Sequence, residues 1–482
     1  MSLAHYLLAA AATLYCGLVL PQDLPPQVAA ALARAKVPLD AVSLLVVDAQ
    51  ALAPARLSHH AEQARNPASV MKLVTTYAAL DLLGPAFTWR TPVYVEGAVR
   101  EGILHGNLYL KGQGDPKLVV ERLWLLLRRV QGLGIQKIAG DIVLDRSAFA
   151  SIDTDPASFD GEPLRPYNAA PDALLINFKS VVMTFVPDVV AGTARVQFEP
   201  PLAGVQLQSD VALSSGDCHD YRALLQADFS DPARIRFAGT YPASCAEKVW
   251  SVAYADPPSY GARAVEGLWR SIGGELGGTV REGPVPALKP AFEMRSPTLT
   301  EIVHDINKFS NNVMAQQLFL TLSLPASELN EPRAGAVGAP AAPPASRAAT
   351  QALLRRWWVE RMGSDDVPEM DNGAGLSRDA RISAQALAHL LQTAFRSAQM
   401  PELMASLPIM GLDGTLKRAR AMPQGSSAHL KTGSLRDVAA MAGYVLAASG
   451  KRYVLVALVN HANANLTRPA LDALLDWAVR DN

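Results

Sequence analysis

Apolar and polar positions change register several times along the chain. Val42-Ser43-Leu44-Leu45-Val46-Val47 is β-branched and apolar enough for a buried strand, after a short Ala-rich helical run at 28–36. Asn66-Pro67 disfavours helix before it. Ala, Val, Met, Leu and Tyr then run without Gly or Pro until Gly84, which predicts a helix from about Ser69. From Trp89 to about Pro290 the pattern shortens to strand-like pieces at 93–95, 108–110, 142–144 and 194–198, with one helical interruption at 118–131. Helical spacing returns behind Ser296-Pro297-Thr298, where Leu299, Ile302, Val303 and Ile306 make one stripe. Further helices are predicted at 313–322, 348–362 and 383–398, with a turn-rich segment at 406–416. Two strong strand patterns at 439–447 and 453–460 and a helix at 466–480 close the chain. The order predicts an α/β domain split by a long β-rich insert.

Composition narrows the class. At 482 residues the chain is long enough for two or three domains. It is 49% hydrophobic and 18% charged, as expected for a globular protein with ample core material. A net charge of -1 and the absence of a Lys/Arg run argue against a nucleic-acid partner. There are three cysteines, Cys16, Cys218 and Cys245, with no CxxC pair and no HExxH, so no metal is expected. Cys218 and Cys245 lie in a loop-rich region and would suit one disulfide in an oxidising compartment, although sequence does not show that they meet. Residues 6–20 are almost wholly apolar, too few for a comfortable membrane span, and suit the core of an export signal at 1–20. No Lys or Arg precedes them, and a buried N-terminal helix is the alternative. The Ala/Pro-rich stretch at 325–346 reads as a mobile surface loop.

Three short motifs carry chemistry. Ser69 and Lys72 are three apart, so they share a helix face one turn from its positive end, with an amine poised to take a hydroxyl proton. Alone, the pair is equally a helix cap beside a solvated lysine. Ser310-Asn311-Asn312 and Lys431-Thr432-Gly433 follow, each the sole Ser-x-Asn and Lys-Thr-Gly in the chain, and alone they would be a loop pair and a strand-end turn.

Together, in this order, the three motifs resemble the penicillin-binding proteins and serine β-lactamases. The long gap between Lys72 and Ser310 resembles the low-molecular-mass class C penicillin-binding proteins, the D-alanyl-D-alanine carboxypeptidase/endopeptidase family. Asn66 to Thr76, Gly112-Gln113-Gly114-Asp115-Pro116, residues 166–178, Gly373 to Arg378 and Gly411 to Leu416 extend the likeness. The resemblance implies a multi-domain α/β fold: a β-lactamase/transpeptidase-like domain, with helices packed on an antiparallel sheet, split by a β-rich two-domain insertion. The expected division is domain I at 21–88 and 291–482, domain II at 89–178 and 250–290, and a nested domain III at 179–249.

The resemblance also implies a serine DD-peptidase. Ser69 would be the nucleophile and Lys72 the base, its pKa lowered by burial and by Lys431. Ser310 would sit between the two amines and relay a proton, and Asn312 would orient Lys72. Backbone N–H groups of Ser69 and Ser434 would hold the oxyanion. Lys431, Thr432, Gly433 and Ser434 would bind the substrate carboxylate. Expected partners are peptidoglycan stem peptides, with β-lactam antibiotics as covalent inhibitors, no cofactor, and at most peripheral membrane association in the periplasm. Asp160 and Asn168 would lie in an insert loop, either solvated or facing the amine of a diaminopimelate side chain. A β-lactamase and a non-catalytic penicillin-binding scaffold are the competing readings.

Overall fold

The protein is described here by a computed structural model covering residues 24–152, 154–325, 343–423 and 427–481. The expected export signal and most of the Ala/Pro-rich stretch lie outside the described residues. Among the described residues no helix is long and apolar enough to cross a membrane.

A five-stranded antiparallel sheet organises the two ends of the chain, in the order Leu57–His59, Val42–Asp48, Arg452–Asn460, Val438–Leu446, Ser427–Leu435. Successive side chains on a strand point to opposite faces, so each strand feeds two cores. Leu45, Ala442, Tyr444, Val454 and Val456 pack under the helices Lys72–Leu83, Leu299–Phe309, Asn312–Thr321, Arg347–Met362 and Ala384–Phe395. Leu44, Val46, Met441, Val445 and Leu455 pack on the other face against Pro26–Arg34 and Arg468–Arg480. This is why the strands read as continuous apolar runs rather than alternating ones.

The insert leaves and re-enters through neighbouring strands. Arg90–Val95 pairs antiparallel with Phe292–Arg295, and Ser296 ties the junction to Trp89 twice: its N–H donates to the Trp89 carbonyl and its Oγ accepts from the Trp89 N–H, each at 3.0 Å. These strands belong to a mixed five-stranded sheet with Leu108–Lys111, Ile142–Asp145 and Val280–Glu282. Residues 180–253 form further sheets, the largest around Ser180–Asp188 and Thr193–Glu199. Lys248–Ala253 pairs with Ser180–Asp188 and so runs across the expected 249/250 boundary. Both parts share one apolar core, from Val93 to Phe292.

Two elements depart from the pattern-based reading. Pro257–Ser271 is a fifteen-residue helix inside the stretch read as strands and turns. Its two opening prolines are tolerated in a first turn, but with Gly261 and Gly267 they depress its helix propensity. The burial of Tyr260, Val265, Leu268 and Trp269 outweighs that deficit. The second is Ser427–Leu435, an edge strand not read from the apolar pattern, which carries Lys431-Thr432-Gly433 in its middle.

Cys218 and Cys245 are joined by a disulfide. It closes a loop between residues 27 apart in sequence, for which chain-entropy arguments give about 3.5 kcal/mol. Replacing both cysteines by serine is therefore expected to lower the stability of the inserted region by about that amount while leaving penicillin acylation unchanged, as checked by urea unfolding beside a labelling assay.

Candidate active site

Ser69 stands on a turn whose shape is set by its neighbours rather than by helix propensity. The predicted helix is split: a short 3-10 turn at Ala68–Met71 precedes the α-helix Lys72–Leu83. Ala68 sits at φ 46°, a left-handed conformation costly for a residue with a Cβ. Asn66 holds it there, accepting from the Ala68 N–H at 2.9 Å and donating to the Ser377 carbonyl at 2.8 Å. Asn460, on the neighbouring strand, clasps the Asn66 backbone from both sides at 2.8 and 2.9 Å. Gly375 closes under the turn, at φ 72°. A Cβ there would lie 1.9 Å from the Ala68 carbonyl oxygen.

Lys72 is fully buried, and its amine has three partners: Ser69 Oγ at 2.9 Å, Asn312 Oδ1 at 2.6 Å and the Ala374 carbonyl at 2.6 Å. Burial holds its pKa well below the ordinary lysine range, and the positive charge of Lys431 lowers it further. A neutral amine has two N–H donors and one lone pair. Two of its partners are carbonyl-type oxygens, which only accept. They use both N–H groups and leave the lone pair to the partner able to donate, the Ser69 hydroxyl.

Lys431 is also fully buried, and burial brings its pKa down to about 7. Its amine bonds Ser310 Oγ at 2.9 Å and the Thr432 carbonyl at 2.7 Å. Ser310 ends the helix Leu299–Phe309 in the left-handed conformation, φ 56°, and Asn311 caps the next helix, Asn312–Thr321. That sharp junction turns Ser310 toward Lys431 and Asn312 toward Lys72. The expectation that Ser310 also bonds Lys72 is corrected: Lys72 is satisfied by Asn312 and by the Ala374 carbonyl.

The edge strand Ser427–Leu435 passes close to the nucleophile. A Cβ on Gly433 would lie 2.5 Å from the Pro67 carbonyl oxygen and 2.9 Å from the Ser69 nitrogen, so this position excludes any side chain. Thr432 is half-buried, while Ser434 is exposed, with its hydroxyl 3.4 Å from Asn465 Oδ1. Ser69, Ser310, Asn312 and Ser434 line a cavity of about 1120 Å³. Its far wall comes from the insert: Phe159, Asp160, Tyr167 and Phe178. Arg378 stacks on the Phe159 ring at 4.7 Å, joining the two walls.

Asp160 accepts from Tyr167 OH and Asn168 Nδ2, both at 2.8 Å. Burial pushes this carboxyl up, but those bonds and one from the Glu162 backbone outweigh it, and its pKa lies below the usual range. Asp160 thus faces the cavity, whereas Asn168 is buried behind it as a support. Sequence reasoning missed the Ala374 carbonyl and Asn460. The first is backbone and leaves no residue-type signal, and the second lies almost four hundred residues from its partner. Among the described residues, no group of three or more His, Cys, Asp or Glu side chains is placed to hold a metal ion.

A half-buried hydroxyl hydrogen-bonded to a buried amine of lowered pKa, with a second buried amine bonded to the neighbouring serine of the cleft, defines a serine acyl-transfer centre. The chain belongs to the D-Ala-D-Ala carboxypeptidase 3 (S13) family, whose model matches residues 24–480. As a member it is a serine-type D-Ala-D-Ala carboxypeptidase. It is 25% identical over 398 residues to the D-alanyl-D-alanine carboxypeptidase DacB of Haemophilus influenzae, covering 82% of this chain and 80% of that protein. It is 27% identical over 420 residues to a D-alanyl-D-alanine carboxypeptidase of an Actinomadura species, covering 83% and 73%. The crystal structure of penicillin binding protein 4 from Haemophilus influenzae superposes with a TM-score of 0.71 at 21% identity, covering 93% of this chain and 99% of that one.

Two pH effects follow from the buried amines. In the unfolded chain both lysines titrate near 10.5, so between about 7 and that value the unfolded state binds more protons than the folded state. Stability is therefore expected to rise with pH across that interval and to fall as pH drops toward 7, readable as the denaturant midpoint. Acylation needs neutral Lys72 and favours charged Lys431. Its second-order rate constant should be bell-shaped, with an alkaline limb near 7 and an acid limb where Lys72 gains a proton. A rate that keeps climbing well above neutral pH would contradict that assignment of charges.

Proposed function

We propose that this enzyme cleaves both the D-Ala-D-Ala termini of peptidoglycan stem peptides and the D-Ala–diaminopimelate cross-links between them, through an acyl-enzyme on Ser69. The observation that carries the reading is the donor count at Lys72: two acceptor-only partners leave its lone pair for the Ser69 proton. Ser69 attacks the scissile carbonyl and its proton passes to Lys72. Backbone N–H groups of Ser69 and Ser434 stabilise the oxyanion. Ser310 gives its proton to the departing amine and regains one from Lys431. In the hydrolytic half the flow reverses: water attacks the acyl carbonyl and loses its proton through Ser310 to Lys431, the ester bond to Ser69 Oγ breaks, and Lys72 returns its proton to Ser69. Asn312 holds Lys72 in line and meets the substrate amide.

Lys431, Thr432 and Ser434 receive the carboxylate adjacent to the scissile bond, and Gly433 keeps the strand close enough to the nucleophile for this. Terminal D-Ala and the leaving diaminopimelate both carry such a carboxylate, so one pocket serves both reactions. A penicillin carries one too, beside its strained β-lactam amide, so the same pocket seats it while Ser69 opens the ring and is acylated. Asp160, held by Tyr167 and Asn168, offers a carboxylate to the diaminopimelate amine. The inserted parts form a domain II and a nested domain III that build this wall. The Cys218–Cys245 disulfide suits an oxidising compartment, and the periplasm is the proposed location.

Labelling with a fluorescent penicillin should be abolished in Ser69→Ala, and continued covalent labelling would remove Ser69 from this role. D-Ala release from a pentapeptide should be lost by a factor of about 10³ or more in Lys72→Met, with the fold intact by circular dichroism. Rapid nitrocefin turnover with an intact pentapeptide would instead indicate a β-lactamase. Asp160→Asn is expected to raise KM for diaminopimelate-containing peptides about tenfold while benzylpenicillin acylation stays unchanged.

A further inference from the structure

The turn-rich segment at 406–416 forms a brace between two of the three motifs. On one side it extends the edge strand Ser427–Leu435: the Leu430 N–H donates to the Pro408 carbonyl at 2.9 Å, and the Met410 N–H to the Ala428 carbonyl at 3.0 Å. On the other side it is latched to the helix that ends in Ser310. Lys308, two residues before Ser310, is 4% exposed, and its amine donates to the Leu407 carbonyl at 2.7 Å and to Asp413 Oδ2 at 2.6 Å. Asp413 Oδ1 accepts from the Ile409 N–H at 2.7 Å, so one carboxylate closes the loop on itself and fastens it to the helix. A buried ammonium is tolerated only when paired and hydrogen-bonded, so this joint resists movement.

The short helical turn Gly414–Leu416 follows Asp413 directly, and it sets Thr415 Oγ1 3.2 Å from Thr432 Oγ1. Either hydroxyl could donate. The two choices differ once an anion arrives. If Thr432 donates to Thr415, its own oxygen presents a lone pair to the carboxylate, which repels it. If Thr415 donates to Thr432, the Thr432 proton is free for the carboxylate, and the chain of two O–H groups is polarised in the favourable sense.

We propose that Thr415 is a positioning residue for the carboxylate end of the site: its hydroxyl donates to Thr432 and so aims the Thr432 proton at the substrate anion. This rests on the reading that Thr432 binds the substrate carboxylate. The Lys308–Asp413 latch sets where Thr415 stands, so the anion-binding end and Ser310 are built on one joint.

Thr415→Val keeps the shape and removes the proton, and Thr415→Ser keeps the proton. Three readouts are compared: KM and kcat for a pentapeptide ending in D-Ala-D-Ala, acylation by benzylpenicillin, and acylation by benzylpenicillin methyl ester, which lacks the anion. In Thr415→Val, KM is expected to rise and benzylpenicillin acylation to slow about tenfold, with kcat changing far less. Thr415→Ser is expected to restore both, and methyl ester acylation to be equal in all three proteins. Equal slowing with the ester would mean a general structural effect and would overturn the proposal, as would an unchanged benzylpenicillin rate in Thr415→Val. If the unsubstituted protein neither cleaves the peptide nor is acylated at Ser69, the reading of the site falls and this inference falls with it.

Discussion

Two amines share one unsolvated pocket, and that constraint governs the shape of everything near them. Two ammonium ions at such a place would each lose hydration and repel the other, so at most one stays charged. The partners decide which. Lys72 is met by two oxygens that only accept and by one hydroxyl. That set is complete for a neutral amine, with nothing anionic to hold an ammonium. Lys431, bonded to the cleft-lining Ser310, is the one suited to keep its proton for an arriving carboxylate.

Meeting that requirement draws in four separate pieces of chain. The turn at 66–71 supplies Ser69, the junction at 309–312 supplies Ser310 and Asn312, the edge strand supplies Lys431, and the loop at 372–377 supplies a carbonyl. None is held by local preference alone. Ala68 and Ser310 both sit at positive φ, each a local cost met by surrounding bonds and packing. The antiparallel sheet is the rigid reference against which these pieces are set, because apolar cores cover both of its faces. The insert can be large without disturbing it, since it departs and returns on paired strands.

Much of the frame was legible in the residues. The strands at 42–48, 438–446 and 452–460 are continuous apolar runs, and the stripe from Leu299 to Ile306 is a clear helical face. What escaped notice was set against local propensity. Pro257–Ser271 is helical because Tyr260 and Trp269 are buried, in spite of its prolines and glycines. The extent of the strand around Lys431-Thr432-Gly433 was not marked by an apolar run, because an edge strand can carry a glycine where another backbone comes close. The segment at 406–416 reads as a connection, and its function as a brace depends on Lys308, a hundred residues away.

By itself the sequence determined the reactive groups, their order and the family likeness, since those depend on residue type and spacing. It also determined that the Ser69 region would turn at Asn66-Pro67 and then become helical. Only the tertiary structure decided which amine meets which hydroxyl. Ser310 bonds Lys431 and not Lys72, because the left-handed turn at Ser310 and the capping Asn311 send adjacent side chains to different partners. The family likeness implied the direction of the Lys72 shift, but not the partners that fix its state. That state depends on burial and on the Ala374 carbonyl, and a backbone oxygen is common to every residue type until folding gives it a position.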